Sequence, residues 1–208
     1  MIGYVPVEEY LFFILQPILT GLWFYAMLLV TGDEEGMEIE GSRGSRAGRI
    51  IPLPESLAEP RRRRKMPLAP EVARWTAAGL WLAAGIAAWV ALTEPRATYL
   101  RLILVWASPV LAGLWAWAGA EVWARRRAYL LGLAAPTVYL WVADVVAIRL
   151  GIWSIDRRFS MGILILGLPV EEALFFLVTN LLVVVGLIAV IYRPARSASR
   201  LPRPVAAS

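Results

Sequence analysis

The chain contains no cysteine and no histidine. The first absence excludes disulfides and thiolate metal sites. The second removes imidazole bases, imidazole metal ligands and zinc sites of the HExxH type together. Acid–base work must therefore fall to Asp, Glu, Tyr, Lys or Arg. Charge is also scarce, at 18% of the 208 residues, against 59% hydrophobic residues. No soluble core of this size needs so much apolar surface. The first apolar run follows acids rather than a basic segment, so no secretory signal peptide is read there.

What is present is membrane-length hydrophobic sequence. Runs 10–30, 75–93, 102–120 and 173–192 carry no charge, and 128–148 carries one, Asp144. Each approaches the roughly 20 residues that cross a bilayer as a helix. The expectation is an all-α, multi-pass transmembrane helix bundle with five spans, forming a single membrane domain over 1–208. The long polar segment 31–70 is expected to be a mobile cytoplasmic loop. Short joins fall at 94–98 and 121–127, and a longer one at 149–168.

The net charge of +5 is distributed as a topology signal rather than a nucleic-acid patch. Nine Lys and Arg lie in 31–74, three at Arg125–Arg127 and four after residue 192, against five in the alternate loops. The positive-inside rule then puts the N-terminus outside the cell membrane and the basic tail 193–208 in the cytoplasm. RRRRK at 61–65 reads as a topology determinant or lipid-headgroup contact.

An internal repeat organises the rest. YVPVEEYLFF at 4–13 returns as GLPVEEALFF at 167–176. Three spans separate the two copies, so both motif helices run the same way and bring their Glu pairs to one membrane face, around a central site. Proline and acids suit a helix start, but capping alone does not require a repeated ten-residue pattern. Helical spacing aligns Glu9 with Phe12, Phe13 and Gln16, and Glu172 with Phe175, Phe176 and Thr179. Glu8 and Glu171 are turned away by about 100°, as supporting or headgroup-facing acids. Asp144 is the third acid. An ionisable group inside a span is costly and defaults to a functional hypothesis, with a snorkelling Asp near Arg149 as the plainer reading. Trp153 and Asp156 in the 149–168 join are weaker candidates, and Tyr139 near Asp144 is a polar wall or packing.

A carboxyl group kept from water resists ionisation and can serve as a Brønsted acid. Phenyl faces attract cations, the more so without water. Acids beside aromatic walls within lipid suit a reaction through a carbocation.

With these residues in view, the sequence resembles the integral-membrane lycopene cyclase family of carotenoid biosynthesis. The resemblance rests on the two Pro-x-Glu-Glu-x-Leu-Phe-Phe motifs and on Asp144-x-x-Ala147-x-x-x-Gly151-x-Trp153, and covers residues 3–30 and about 100–190. It implies an isomerase, an intramolecular lyase that needs no cofactor and no metal. Its substrate would be a lipophilic polyene, lycopene or a related acyclic carotenoid, whose linear ends close into ionone-type rings. Acid–base roles would go first to Glu9 and Glu172, then to Glu8, Glu171 and Asp144. Phe12, Phe13, Phe175 and Phe176, with Trp153 and Tyr139, would line the substrate site. The resemblance also implies two helices ahead of each motif. The second repeat, about 99–192, has them. The first, 1–30, lacks counterparts of Asp144 and Trp153, and 75–93 is only a linking helix. The expectation is that the missing helices lie upstream or on a second subunit. A small proton-coupled carrier fits intramembrane acids too. Among other isoprenoid-handling membrane enzymes, prenyl-protein proteases need histidines, and aromatic prenyltransferases need Asp-rich magnesium sites such as DxxxD, which the chain lacks.

Overall fold

A computed structural model describes residues 7–33, 68–153, 155–156 and 158–192, with side chains from Tyr10 in the first segment and from Ala69 in the second. Most of the expected loop 31–70, including the basic run 61–65, and the tail 193–208 lie outside the described residues. Five helices account for nearly everything else: α1 (Val7–Thr31), α2 (Leu68–Ala91), α3 (Thr98–Ala124), α4 (Arg126–Arg149) and α5 (Val170–Ile191). Helices are what such sequences must form, because lipid offers no partner to a backbone N–H or C=O. Pro17, Pro109 and Pro136 lie inside three of them, a placement that membrane helices tolerate. Two strands of two residues each, β1 (Leu164–Ile165) and β2 (Leu168–Pro169), form a small hairpin before α5.

Four helices, α1, α3 with the preceding turn, α4 and α5, are long and apolar enough to cross a membrane. The fifth expected span, α2, is as long, with 24 residues. It is not among those four, and it carries Glu71 and Arg74 near its start. It nonetheless lies antiparallel along almost the whole of α3. Arg74 meets Gly119 at one end, and the Arg101 guanidinium sits 4.7 Å over the Trp89 ring at the other. The join expected at 121–127 is shorter than its sequence suggests, because Arg125 alone separates α3 from α4.

α5 is the central element. It packs on α1, α3 and α4, whereas α2 packs on α3. Ile103, Ala107 and Leu111 of α3 meet Val178 and Leu181 of α5. Phe24 and Leu28 of α1, Val122 of α3, Ala128 of α4, and Val184, Val185 and Ile188 of α5 close a second cluster near the opposite end. There the Tyr192 hydroxyl donates to the Asp33 carbonyl at 2.8 Å, and the Arg125 guanidinium lies 3.4 Å over the Tyr192 ring.

Membrane helices gain little from burying apolar side chains against one another, since lipid is as apolar, so close backbone approach matters more. Gly132 of α4 is such a point: a Cβ there would fall 2.6 Å from Cδ2 of Phe24. Gly113 has open space at the same test. Gly132→Ala is therefore expected to destabilise the bundle by about 1–3 kcal/mol. Gly113→Ala should be neutral, or stabilising by up to about 1 kcal/mol through helix propensity. Unfolding of the two variants in detergent checks the contrast.

Candidate active site

α1 and α5 lie side by side and point the same way. Phe12 meets Phe176, Gln16 and Thr20 meet Asn180, and Gly21 faces Leu187. The two Pro-x-Glu-Glu starts consequently stand at one end of the bundle, the motif end. One helical turn further in, the two Phe-Phe units form a closed quartet. Ring centroids are 5.7 Å apart for Phe12–Phe13, 5.9 Å for Phe12–Phe176, 5.7 Å for Phe175–Phe176 and 6.1 Å for Phe13–Phe175. All four contacts are edge-to-face, the arrangement that the ring quadrupole favours. Phe176 is buried and Phe12 and Phe175 are half-buried, while Phe13 is 54% exposed and opens the quartet to its surroundings.

Of the acids, Glu8 and Glu9 stand in the first turn of α1, and their side chains lie outside the described part of the structure. Glu172 is half-buried. Glu171 differs from the expectation that it is turned away, for it is fully buried. Two features cause this. α5 has neighbours on three sides and so has no single outward face, and the α4–α5 join folds over its first turn. The Met161 N–H donates to Glu171 Oε1 at 2.6 Å, while Oε2 has no hydrogen-bond partner among the described residues.

Asp144 is buried, 6% exposed, and its Oδ2 likewise lacks a partner among the described residues. Antiparallel packing sets its depth. The Trp141 indole N–H donates to the Ala173 carbonyl at 2.9 Å, and Asn180 Nδ2 donates to Thr137 Oγ1 at 3.0 Å. That register brings Asp144 level with Glu171. Trp153 folds back from the join to lie beside Asp144, so the two ends of the Asp-x-x-Ala-x-x-x-Gly-x-Trp pattern meet. Tyr139 does not join them. It is 68% exposed, since α4 turns Asp144 inward and Tyr139 onto the opposite face. Asp156 lies outside the spans, where the Arg158 side chain and backbone N–H hold its carboxyl below the usual carboxylate range. Among the described residues, no group of three His, Cys, Asp or Glu is placed to hold a metal ion.

Asn180 is a feature that the spacing of the motifs does not reveal. Fully buried, it accepts from Gln16 Nε2 at 2.6 Å and from Thr20 Oγ1 at 2.8 Å, and donates to Thr137. It ties α1, α4 and α5 together directly below the quartet. Thr179, the polar residue placed on the motif stripe, instead returns its hydroxyl to its own helix, donating to the Phe175 carbonyl at 2.9 Å. A lone Asn in an apolar run carries no periodic signal. Only its position four residues after Phe176 marks it as facing the same way.

Comparison with known proteins bears on this arrangement. The chain is 36% identical over 184 residues to a lycopene beta-cyclase of Halobacterium salinarum, across 88% of this chain and 64% of that protein. It is 35% identical over 190 residues to a bifunctional lycopene cyclase/phytoene synthase of Sporisorium reilianum, across 88% of this chain and 24% of the other. A 96-residue stretch is 45% identical to the protein of the same description from Gibberella fujikuroi, covering 44% of this chain and 16% of the other. The chain belongs to the lycopene cyclase family. It spans 64% of the length of the Halobacterium cyclase, less than two thirds. No family model and no solved structure matches it.

In this cyclase-family chain the Asn180 hub is expected to hold the two repeats in register. Asn180→Ala strands the Gln16, Thr20 and Thr137 groups and should cost about 1–2 kcal/mol, between the soluble-protein value and the smaller average measured in membranes. Thr179→Val should cost clearly less. Unfolding in detergent distinguishes the two.

Proposed function

We propose that the chain catalyses the acid-initiated, non-redox cyclisation of the linear ends of lycopene, or of a related acyclic carotenoid, to ionone-type rings in carotenoid biosynthesis. The observation that carries this reading is the phenyl quartet, contributed equally by the two repeats one turn below their acids. A carboxylic acid donates its proton to the terminal double bond of the polyene and leaves a tertiary cation. A neighbouring double bond attacks that carbon and closes a six-membered ring, moving the cation into the ring. A carboxylate then removes a ring proton. The proton gained equals the proton lost, so substrate and product are isomers. Glu9 and Glu172 are the first choices for donor and acceptor, with Glu171, Asp144 and Glu8 in support. Phe12, Phe13, Phe175 and Phe176 shield the cation from water and face it with their quadrupoles, and Trp153 orients Asp144.

The proposal includes an orientation and a partner. The Lys and Arg distribution supports a motif end outside the cytoplasm and a basic end within it. A second polypeptide carrying helices like α3 and α4 is supported by a difference between the repeats. Ala173, Phe176, Val178, Leu181, Val185 and Ile188 of α5 are buried. Their repeat counterparts in α1, Tyr10, Phe13, Leu15, Ile18, Leu22 and Tyr25, are all exposed.

Expression in a lycopene-accumulating bacterium, with pigments separated by chromatography, is expected to give cyclic products. The same assay in native membranes reveals whether a partner is needed. Glu9→Gln and Glu172→Gln should each lower ring formation about 10²-fold or more with membrane insertion intact. Full-rate cyclisation by both variants would refute the assignment of the acids.

A further inference from the structure

The α4–α5 join ends in a hairpin whose chemistry the reaction does not use. β1 and β2 pair with Leu164 opposite Pro169 and Ile165 opposite Leu168, leaving Leu166-Gly167 as a two-residue turn. Both turn residues have positive φ, 55° for Leu166 and 93° for Gly167. This is the mirror-image turn that suits strand twist, and its first position ordinarily takes Asn, Asp or Gly. Leucine there is strained, because its Cβ crowds the following carbonyl.

The same residue is bare. Leu166 is 90% exposed, and Ile163, Leu164 and Ile165 are each at least half exposed. Strain and exposure together ask what compensates them. In water an Asn would relieve both, so this turn favours an apolar environment. The position of the hairpin identifies that environment. Leu168 and Pro169 are buried, and β2 packs on α4 and α5. Gly167 lies beside the guanidinium of Arg149, the last residue of α4: a Cβ on this glycine would stand 3.7 Å from Nη2. The Val170 N–H donates to the Ile163 carbonyl at 3.0 Å and fixes the hairpin to the start of α5. The hairpin therefore lies against the ends of two spans, where acyl chains give way to headgroups, rather than standing off from the bundle. Apolar side chains flanked by an exposed arginine are the mark of that boundary.

We infer that the hairpin over 163–168 is a lipid-contact element. Ile163, Leu164, Ile165 and Leu166 enter the acyl-chain edge of the bilayer, while Arg149 meets headgroup phosphate. This role is independent of the cyclisation.

The natural absence of cysteine makes the test direct. A bimane dye on Leu166→Cys, in the full chain reconstituted into phosphatidylcholine–phosphatidylglycerol vesicles, is compared with one on Arg158→Cys, whose native side chain is 81% exposed. Lipids bearing a shallow acyl-chain nitroxide should quench the dye at 166 several-fold more strongly than the dye at 158, and aqueous iodide should do the reverse. Equal iodide quenching at both positions overturns the inference. So does shielding of position 166 from both quenchers, which would mean that protein covers the tip. Leu166→Asn should keep or raise the unfolding temperature in detergent while weakening nitroxide quenching of a dye on Leu164→Cys. A fall in that temperature would show Leu166 packing within the protein and would also overturn it.

Discussion

The parallel contact of α1 with α5 is the constraint on which the rest of the structure depends. It turns a sequence repeat into a spatial one. Two helices that shared a motif but ran in opposite directions would put their acids on opposite sides of the bilayer. Here the phenyl quartet and the Asn180 hub fix direction, rotation and depth together. The quartet supplies shape. The hub supplies register, because a buried amide in lipid must find its partners at particular positions, and a shift of one helical turn would leave several polar groups unpaired at once.

From that contact the positions of the other helices follow. α4 runs antiparallel to α5, bonded to it through Trp141 and Thr137, and this sets Asp144 level with Glu171. α3 covers another side of α5, and α2 extends the bundle outward along α3. The join after α4 then returns over the motif end, bringing Trp153 to Asp144 and the Met161 N–H to Glu171. Glu171 is thus held by a backbone N–H, and Asp144 stands beside the Trp153 indole.

Much of this was legible in the sequence. Charge-free runs gave the helices, and an odd number of intervening spans gave the parallel motif helices. Family resemblance set Asp144 and Trp153 within one motif. What remained hidden has a common physical cause. Facing arguments based on helical spacing assume one buried stripe per helix, and α5 has no such stripe, because neighbours on three sides bury Glu171, Phe176 and Asn180 alike. The same assumption chose Thr179, whose hydroxyl its own helix can satisfy, over Asn180, whose amide requires other helices. It also kept Tyr139 with Asp144, although α4 separates them onto opposite faces. The start of α2 was obscured for another reason: Arg74 and Glu71 end the charge-free run at 75, while the helix continues back to Leu68.

In the proposed cyclisation, a symmetric pair of motifs poses a chemical difficulty on which the packing bears. A cyclisation that begins by giving a proton and ends by taking one needs two carboxyl groups in different states, yet the repeats supply the same residues twice. Sequence cannot separate them, but environment can. α5 is enclosed and its first turn lies beneath the folded join, whereas the equivalent face of α1 is bare. Equal acids on unequal helices therefore stand in unequal surroundings. In the proposed reaction, this departure from symmetry in packing, against symmetry in sequence, is what would let one repeated motif serve both halves of a proton cycle.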